Sequence, residues 1–135
     1  MKETIAAENN GDANEMLLYH GTGAGGAAGI PDAGFDDRFC SAGFFGMGMY
    51  FAEDPAKSHQ YTEHNGDKTI FVVRVSLGRQ QALVQSDQTK TLTRAEKGFH
   101  SVRGTHNSTD PRLKYVEHIV YRFGQAEPYL KITYQ

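Results

Sequence analysis

Three polar side chains stand where chemistry is easiest to arrange. His20 closes an apolar run, Met16-Leu17-Leu18-Tyr19, and is followed at once by Gly21-Thr22. Tyr50 sits in Gly46-Met47-Gly48-Met49-Tyr50-Phe51-Ala52, again an apolar stretch entered through glycine. Glycine at such junctions lets the backbone approach a ligand closely, with a polar, reactive group beside it. Glu117 lies within Tyr115-Val116-Glu117-His118-Ile119-Val120-Tyr121. A carboxylate among apolar strand neighbours is costly unless it is paired or serves a cleft, so Glu117 is either a site residue or an edge-strand charge. His20 and Tyr50 have plainer readings too, as a hydrogen-bonding turn histidine and a core aromatic.

Other motifs fall away on inspection. Gly21-x-Gly23-x-x-Gly26 follows a strand and matches the dinucleotide fingerprint by pattern. The helix and second parallel strand that the fingerprint needs are missing, because the next segment is broken by glycine and Pro31. The six histidines (20, 59, 64, 100, 106, 118) have no metal-ligand spacing, and no metal site is expected. Neither a Gly-x-Ser-x-Gly elbow nor a phosphate-binding Walker sequence occurs.

The elements that must position these residues follow from pattern. Residues 1–14 are polar, end in the breaker cluster Asn9-Asn10-Gly11-Asp12, and read as a loose arm, so 1–15 is taken as a flexible N-terminal segment and 16–135 as the domain. Met16–His20 is a short strand. Residues 21–34 are too glycine-rich for much helix, with a short helix expected around Ala27–Ile30 before Pro31, and Phe35 and Phe39 anchor the loop that follows. Asp54-Pro55 predicts a capped helix to about Tyr61, which would place Ser58 and Tyr61 close to one face. Thr69–Leu77 is the clearest strand, with Phe71, Val73, Val75 and Leu77 on one side. Gln81–Val84 is a weaker strand, 91–96 a helical turn, and 104–111 a surface loop by composition. Tyr115–Tyr121 and Tyr129–Tyr134 complete the strands. Many strands, little helix and no βαβ alternation predict an antiparallel α+β domain.

At 135 residues, 39% hydrophobic and 22% charged, the chain can bury a core of its own. A net charge of −2 argues against a partner held by bulk phosphate neutralisation, so nucleic acid is not the expected partner. A small phosphate-bearing ligand held by backbone amides remains open. Cys40 is the only cysteine, which excludes an internal disulfide and a Cys-rich zinc site. No apolar run has the length of a membrane span, and the N-terminus lacks a signal-peptide core. The expectation is a cytoplasmic or nuclear monomer, or one domain of a longer chain.

Taken together, His20-Gly21-Thr22, Gly34-Phe35-Asp36, Phe45-Gly46-x-Gly48-x-Tyr50-Phe51-Ala52, Lys57-Ser58-x-x-Tyr61, Phe71–Val75 and Glu117–Tyr121 resemble the catalytic domain of the poly(ADP-ribose) polymerases, the diphtheria-toxin-like ADP-ribosyltransferases. The segments 98–102 and 125–135 look most like the tankyrase branch. The resemblance spans about 16–135 and keeps the family's motif order. It implies an ADP-ribosyltransferase fold, two small, mostly antiparallel sheets around a cleft for NAD, and His20, Tyr50 and Glu117 as the family's His-Tyr-Glu triad. It also implies that His20 bonds the adenine-side ribose, and that Gly21 and Ser58 clamp the nicotinamide carboxamide. Tyr61 would stack on the ring and Tyr50 would wall its other side. Thr22, Asp36, Phe51, Ala52 and Lys57 complete the implied NAD-binding set, Asp36 in the loop that covers adenosine. The implied reaction moves ADP-ribose from NAD to protein acceptors, the protein itself included. Glutamate at the third triad position is associated with chain elongation in the family, so polymer is expected over single additions. The alternatives are a module that binds NAD or ADP-ribose without transfer, and transfer to nucleic acid ends. Three departures stand out. A tankyrase-like zinc-binding insertion is missing between 61 and 69, fifteen residues cannot hold the helical regulatory domain of some members, and His118 replaces the tyrosine usual after the glutamate.

Overall fold

The computed structural model describes residues 1–22, 39–56, 68–106 and 115–134. Helix α1 (Lys2–Glu8) is followed by strands β1 (Glu15–Thr22), β2 (Ser41–Gly43), β3 (Gly46–Ala52), β4 (Lys68–Ser76), β5 (Gln80–Val84), β6 (Ser101–Thr105), β7 (Glu117–Val120) and β8 (Ala126–Tyr134). Single 3-10 turns lie at Thr89–Thr91 and Phe123–Gln125.

The strands are hydrogen-bonded in the order β5-β6-β7-β3-β1-β4-β8, with β2 paired to β3 off this path. Every neighbouring pair is antiparallel except β5–β6. The family resemblance implies two small sheets; among the described residues the strands run on as one. β3 is the reason. Its first residues form a hairpin with β2, Ser41 opposite Gly48 and Gly43 opposite Gly46. Its last residues pair with β7 on one side, and Ala52 lies opposite Tyr19 of β1 on the other. The seam between β1 and β3 is short, and it joins what would otherwise be two halves.

Period-two alternation gives each face of this sheet its own core. Leu18, Met49, Phe51, Phe71, Val73, Val75, Leu77 and Val120 form one cluster with Phe39. The apolar face expected of β4 is therefore the centre of this core. Phe45, Tyr50, Ala95, Val102 and Ile119 form the other cluster, flanked by Phe44, Leu83, Phe99 and Tyr121.

Two predicted irregular segments are ordered elements. The expected loose arm contains α1, whose Ile5 is fully buried. A seven-residue helix is marginal alone, so packing stabilises it. Glu8 Oε2 lies 2.7 Å from His100 Nε2, while the backbone N–H of Arg79 donates to His100 Nδ1 at 2.9 Å. The ring therefore carries its hydrogen toward Glu8. The expected surface loop begins inside β6, where Ser101, Val102 and Gly104 are buried. Gly104 reads as a turn residue, yet a Cβ there would stand 2.4 Å from the Phe45 ring. Close packing, not a turn, requires that glycine. In 91–96 only the 3-10 turn ending at Thr91 forms.

Candidate functional site

β3 lies between β1 and β7, so the three strands that carry His20, Tyr50 and Glu117 are neighbours. Residues thirty and ninety-seven positions from His20 along the chain are thus brought to adjoining strands. Ala52 faces Tyr19 across one seam and Glu117 across the other.

Tyr50 and Glu117 come together directly. With Ser41, Ala42, Gly43, Phe44 and Lys90 they line a cavity of about 490 Å³. That size suits a small-molecule site. The Tyr50 hydroxyl is anchored at the cavity edge: it donates to Gly46 O at 2.6 Å and accepts from the Phe45 N–H at 3.0 Å. Burial pushes its pKa up to about 12, and the Glu117 charge adds to the shift, so the phenol stays protonated through the physiological range. A fixed hydroxyl leaves the ring as a rigid wall. Gly43 completes the fit, since a Cβ there would lie 2.7 Å from the Tyr50 ring.

Glu117 is almost fully enclosed, at 2% exposure. Its Oε2 lies 3.1 Å from Nε2 of His106, a residue whose side chain is itself wholly buried. His106 Nδ1 lies 2.6 Å from Gln85 Oε1. The carboxylate is thus hydrogen-bonded to a buried histidine while it lines the cavity. Neither His106 nor Gln85 was singled out in sequence. His106 sits in the composition-rich stretch after Gly104, and only the three-dimensional pairing of β6 with β7, Gly104 opposite Glu117, brings it close.

His20 takes a different position. It lies on the opposite sheet face, its ring packed against Phe51 at 5.5 Å and edge-on to Phe39 at 6.0 Å. It reaches the site through the backbone: Nδ1 is 2.9 Å from Tyr50 O. A carbonyl only accepts, so Nδ1 carries the hydrogen and Nε2 is the acceptor of the neutral ring. Burial lowers the His20 pKa, partly offset by that hydrogen bond, which keeps the ring neutral near pH 7.

Gly21, Phe51 and Ala52 are buried on the same strands, and the Thr22 backbone pairs with Thr69. Asp54 Oδ1 accepts from the Ala56 N–H at 2.8 Å, the cap expected at the start of the next helix. Asp36, Lys57, Ser58 and Tyr61 lie outside the described residues. Beside Glu117, His118 occupies the Phe51 face, with Nε2 2.6 Å from Glu53 Oε1 and Nδ1 2.9 Å from Gln80 Nε2. Among the described residues no group of three or more His, Cys, Asp or Glu side chains is placed to hold a metal ion. No helix of these residues is long and apolar enough to cross a membrane.

The family model for the poly(ADP-ribose) polymerase catalytic domain matches residues 2–124. The chain belongs to this family. Curated relatives agree. The human protein mono-ADP-ribosyltransferase PARP12 is 37% identical over 81 residues, 57% of this chain and 12% of that protein. The human protein mono-ADP-ribosyltransferase PARP14 is 35% identical over 83 residues, 57% of this chain and 5% of that protein. Poly [ADP-ribose] polymerase 1 of Caenorhabditis elegans is 34% identical over 97 residues, 67% of this chain and 10% of that protein. The chain thus spans at most about an eighth of the length of these relatives. The family match begins within α1, a segment that the sequence resemblance did not include.

Proposed function

We propose that this domain is an ADP-ribosyltransferase that takes ADP-ribose from NAD and attaches it to protein acceptors, releasing nicotinamide. The observation that carries this reading is the placement of the Tyr50 ring and the Glu117 carboxylate in the lining of one cavity, in a chain of this family.

The chemistry suits those groups. The nicotinamide of NAD is a cationic leaving group on ribose C1′. When the C1′–N bond breaks, its electron pair stays on nitrogen and neutral nicotinamide departs, leaving an oxocarbenium-like sugar. Glu117, a carboxylate in a largely enclosed place, stabilises that positive charge and accepts a hydrogen bond from a ribose hydroxyl. The acceptor's oxygen then bonds to C1′ and gives up its proton, to Glu117 or to solvent. The Tyr50 ring walls the nicotinamide, with Tyr61 stacking from the other side. Holding the leaving group in one orientation lowers the barrier to departure. Gly21 and Ser58 clamp the carboxamide, Thr22, Ala52 and Lys57 are assigned to the same pocket, and Phe51 supports the strand from the His20 face. His20, which holds the Tyr50 carbonyl through Nδ1, is assigned to the adenine-side ribose by its place in the family's motif order, and Asp36 belongs to the adenosine cover. In this reading the short seam between β1 and β3 marks the floor of the cleft between the family's two sheets.

Polymer formation is our reading of the product, on the strength of a glutamate at position 117. Two of the relatives are named as mono-ADP-ribosyltransferases and one as a polymerase, and the tankyrase-like segments 98–102 and 125–135 favour elongation. Labelled NAD and a denaturing gel test the reading. A smear of label on protein supports polymer, and discrete bands support single additions. Label on added nucleic acid ends, or tight NAD binding with no nicotinamide release, would replace protein transfer with one of the other readings.

A further inference from the structure

His106 is a buried histidine that ADP-ribose transfer does not by itself require. Its ring is packed edge-on by Phe44 at 5.3 Å and Phe45 at 5.6 Å. Its two nitrogens are spanned by Gln85 Oε1 at 2.6 Å and Glu117 Oε2 at 3.1 Å. A carboxylate oxygen only accepts, so Nε2 carries the hydrogen. Nδ1 either donates to Gln85 Oε1 in the doubly protonated ring, or accepts from the Gln85 amide turned over in the neutral one. The hydrogen on Nε2, and with it the hold on Glu117, is the same in both states.

We propose that His106 is a positioning residue for Glu117, fixing one carboxylate oxygen so that the carboxylate meets the ribose of NAD in a single orientation. The proposal rests on the reading of Glu117 as the reacting carboxylate. Three features support it beyond simple burial of a charge. Glu117 lines the cavity while it bonds His106, so the same carboxylate has a protein partner and a ligand-facing place. Phe44 both touches His106 and lines that cavity, which couples the ring's placement to the cavity wall. Gln85, just past β5, sets the imidazole from behind, and its own backbone N–H donates to Thr105 O at 2.9 Å. The ring is therefore located by packing and by a hydrogen bond at its far nitrogen, the arrangement that holds a reacting group within a narrow range of geometry. A carboxylate free to rotate would lose part of its contact with the ribose hydroxyl and with the developing charge.

Steady-state NAD consumption by the wild type, Glu117→Gln, His106→Leu, His106→Gln and Gln85→Leu tests this, each variant first checked for folding by circular dichroism. His106→Leu should lower kcat roughly 10- to 100-fold with KM for NAD within about threefold of wild type. His106→Gln, whose amide can still donate to Glu117, should recover most of that loss. Gln85→Leu should lower kcat by about 3- to 10-fold, as expected of a support one step further back. A folded His106→Leu with wild-type kcat overturns the proposal, as does a Gln variant no better than Leu. Should His106→Leu fail to fold, unchanged kcat in Gln85→Leu overturns it instead. Activity that needs Glu117 but ignores His106 and Gln85 removes this proposal alone. A wild type that consumes no NAD removes it together with the site reading beneath it.

Discussion

His20 shows how much of a residue's chemistry is decided by its surroundings. The carbonyl of Tyr50 takes the hydrogen on Nδ1, and the Phe39 and Phe51 rings pack against the imidazole. Burial then lowers the pKa from its ordinary 6.5. Below that value the unfolded chain binds a proton that the folded chain resists, so stability rises with pH across this window. The contribution is complete above about pH 6.5 and is lost as pH falls toward the depressed folded value. Thermal melts at about pH 7.5 and 5.5 check this: the wild type should lose more stability on acidification than His20→Gln, and equal losses would contradict it. In sequence, the candidate status of His20, Tyr50 and Glu117 was legible from types and neighbours. Their three different environments were not. Nothing in the local stretch says that His20 lies on the opposite sheet face from Tyr50, or that Glu117 finds a histidine partner eleven residues upstream.

Among the elements, β3 carries the most. It is half hairpin and half central strand, pairing with β2 through Gly48 and with β7 from Met49 on, and Gly46 opens it at the hairpin turn. Its φ of +86° is left-handed, and a Cβ there would stand 1.9 Å from the Leu92 carbonyl oxygen. The same carbonyl accepts from the Met47 N–H at 3.1 Å, and Gly46 O accepts from the Tyr50 hydroxyl. Gly46→Ala should therefore destabilise the protein by about 2–4 kcal/mol, since it combines backbone strain with a clash against main chain that cannot move aside cheaply. Urea denaturation measures this, and a change below about 0.5 kcal/mol would contradict it. Strong periodicity made β4 readable, and a run of glycine and polar residues hid β6. The β6 assignment depends on Phe45 packing against a glycine fifty-nine positions away, which no local pattern records. α1 was hidden for a related reason. One isoleucine among polar and alanine residues gives no periodic stripe, yet Ile5 is fully buried beneath Gly78 and His100.

For the whole molecule, the order of strands in space is what turns scattered residues into a site. β7 inserts beside β3 although sixty-four residues separate Ala52 from the end of the chain's Tyr115–Val116 approach, and β6 delivers His106 to the same place. Helix α1 belongs to this structure through its buried Ile5. Ile5→Ala should cost about 2–4 kcal/mol of global stability in a single cooperative transition, which urea unfolding followed by fluorescence and by circular dichroism can check. A separate early transition would mean that α1 is not part of the domain's core. An α+β class built largely from antiparallel strands was readable from pattern alone, whereas the joining of the halves through β3 was not, because it rests on one short seam. The central claim is that Glu117 does chemistry in the cavity it lines. Nicotinamide release from NAD, measured beside calorimetric NAD binding for the wild type and Glu117→Gln, tests it most directly. Release should fall by about 100-fold or more while NAD affinity stays within about threefold; a Glu117→Gln protein that releases nicotinamide at the wild-type rate would contradict it.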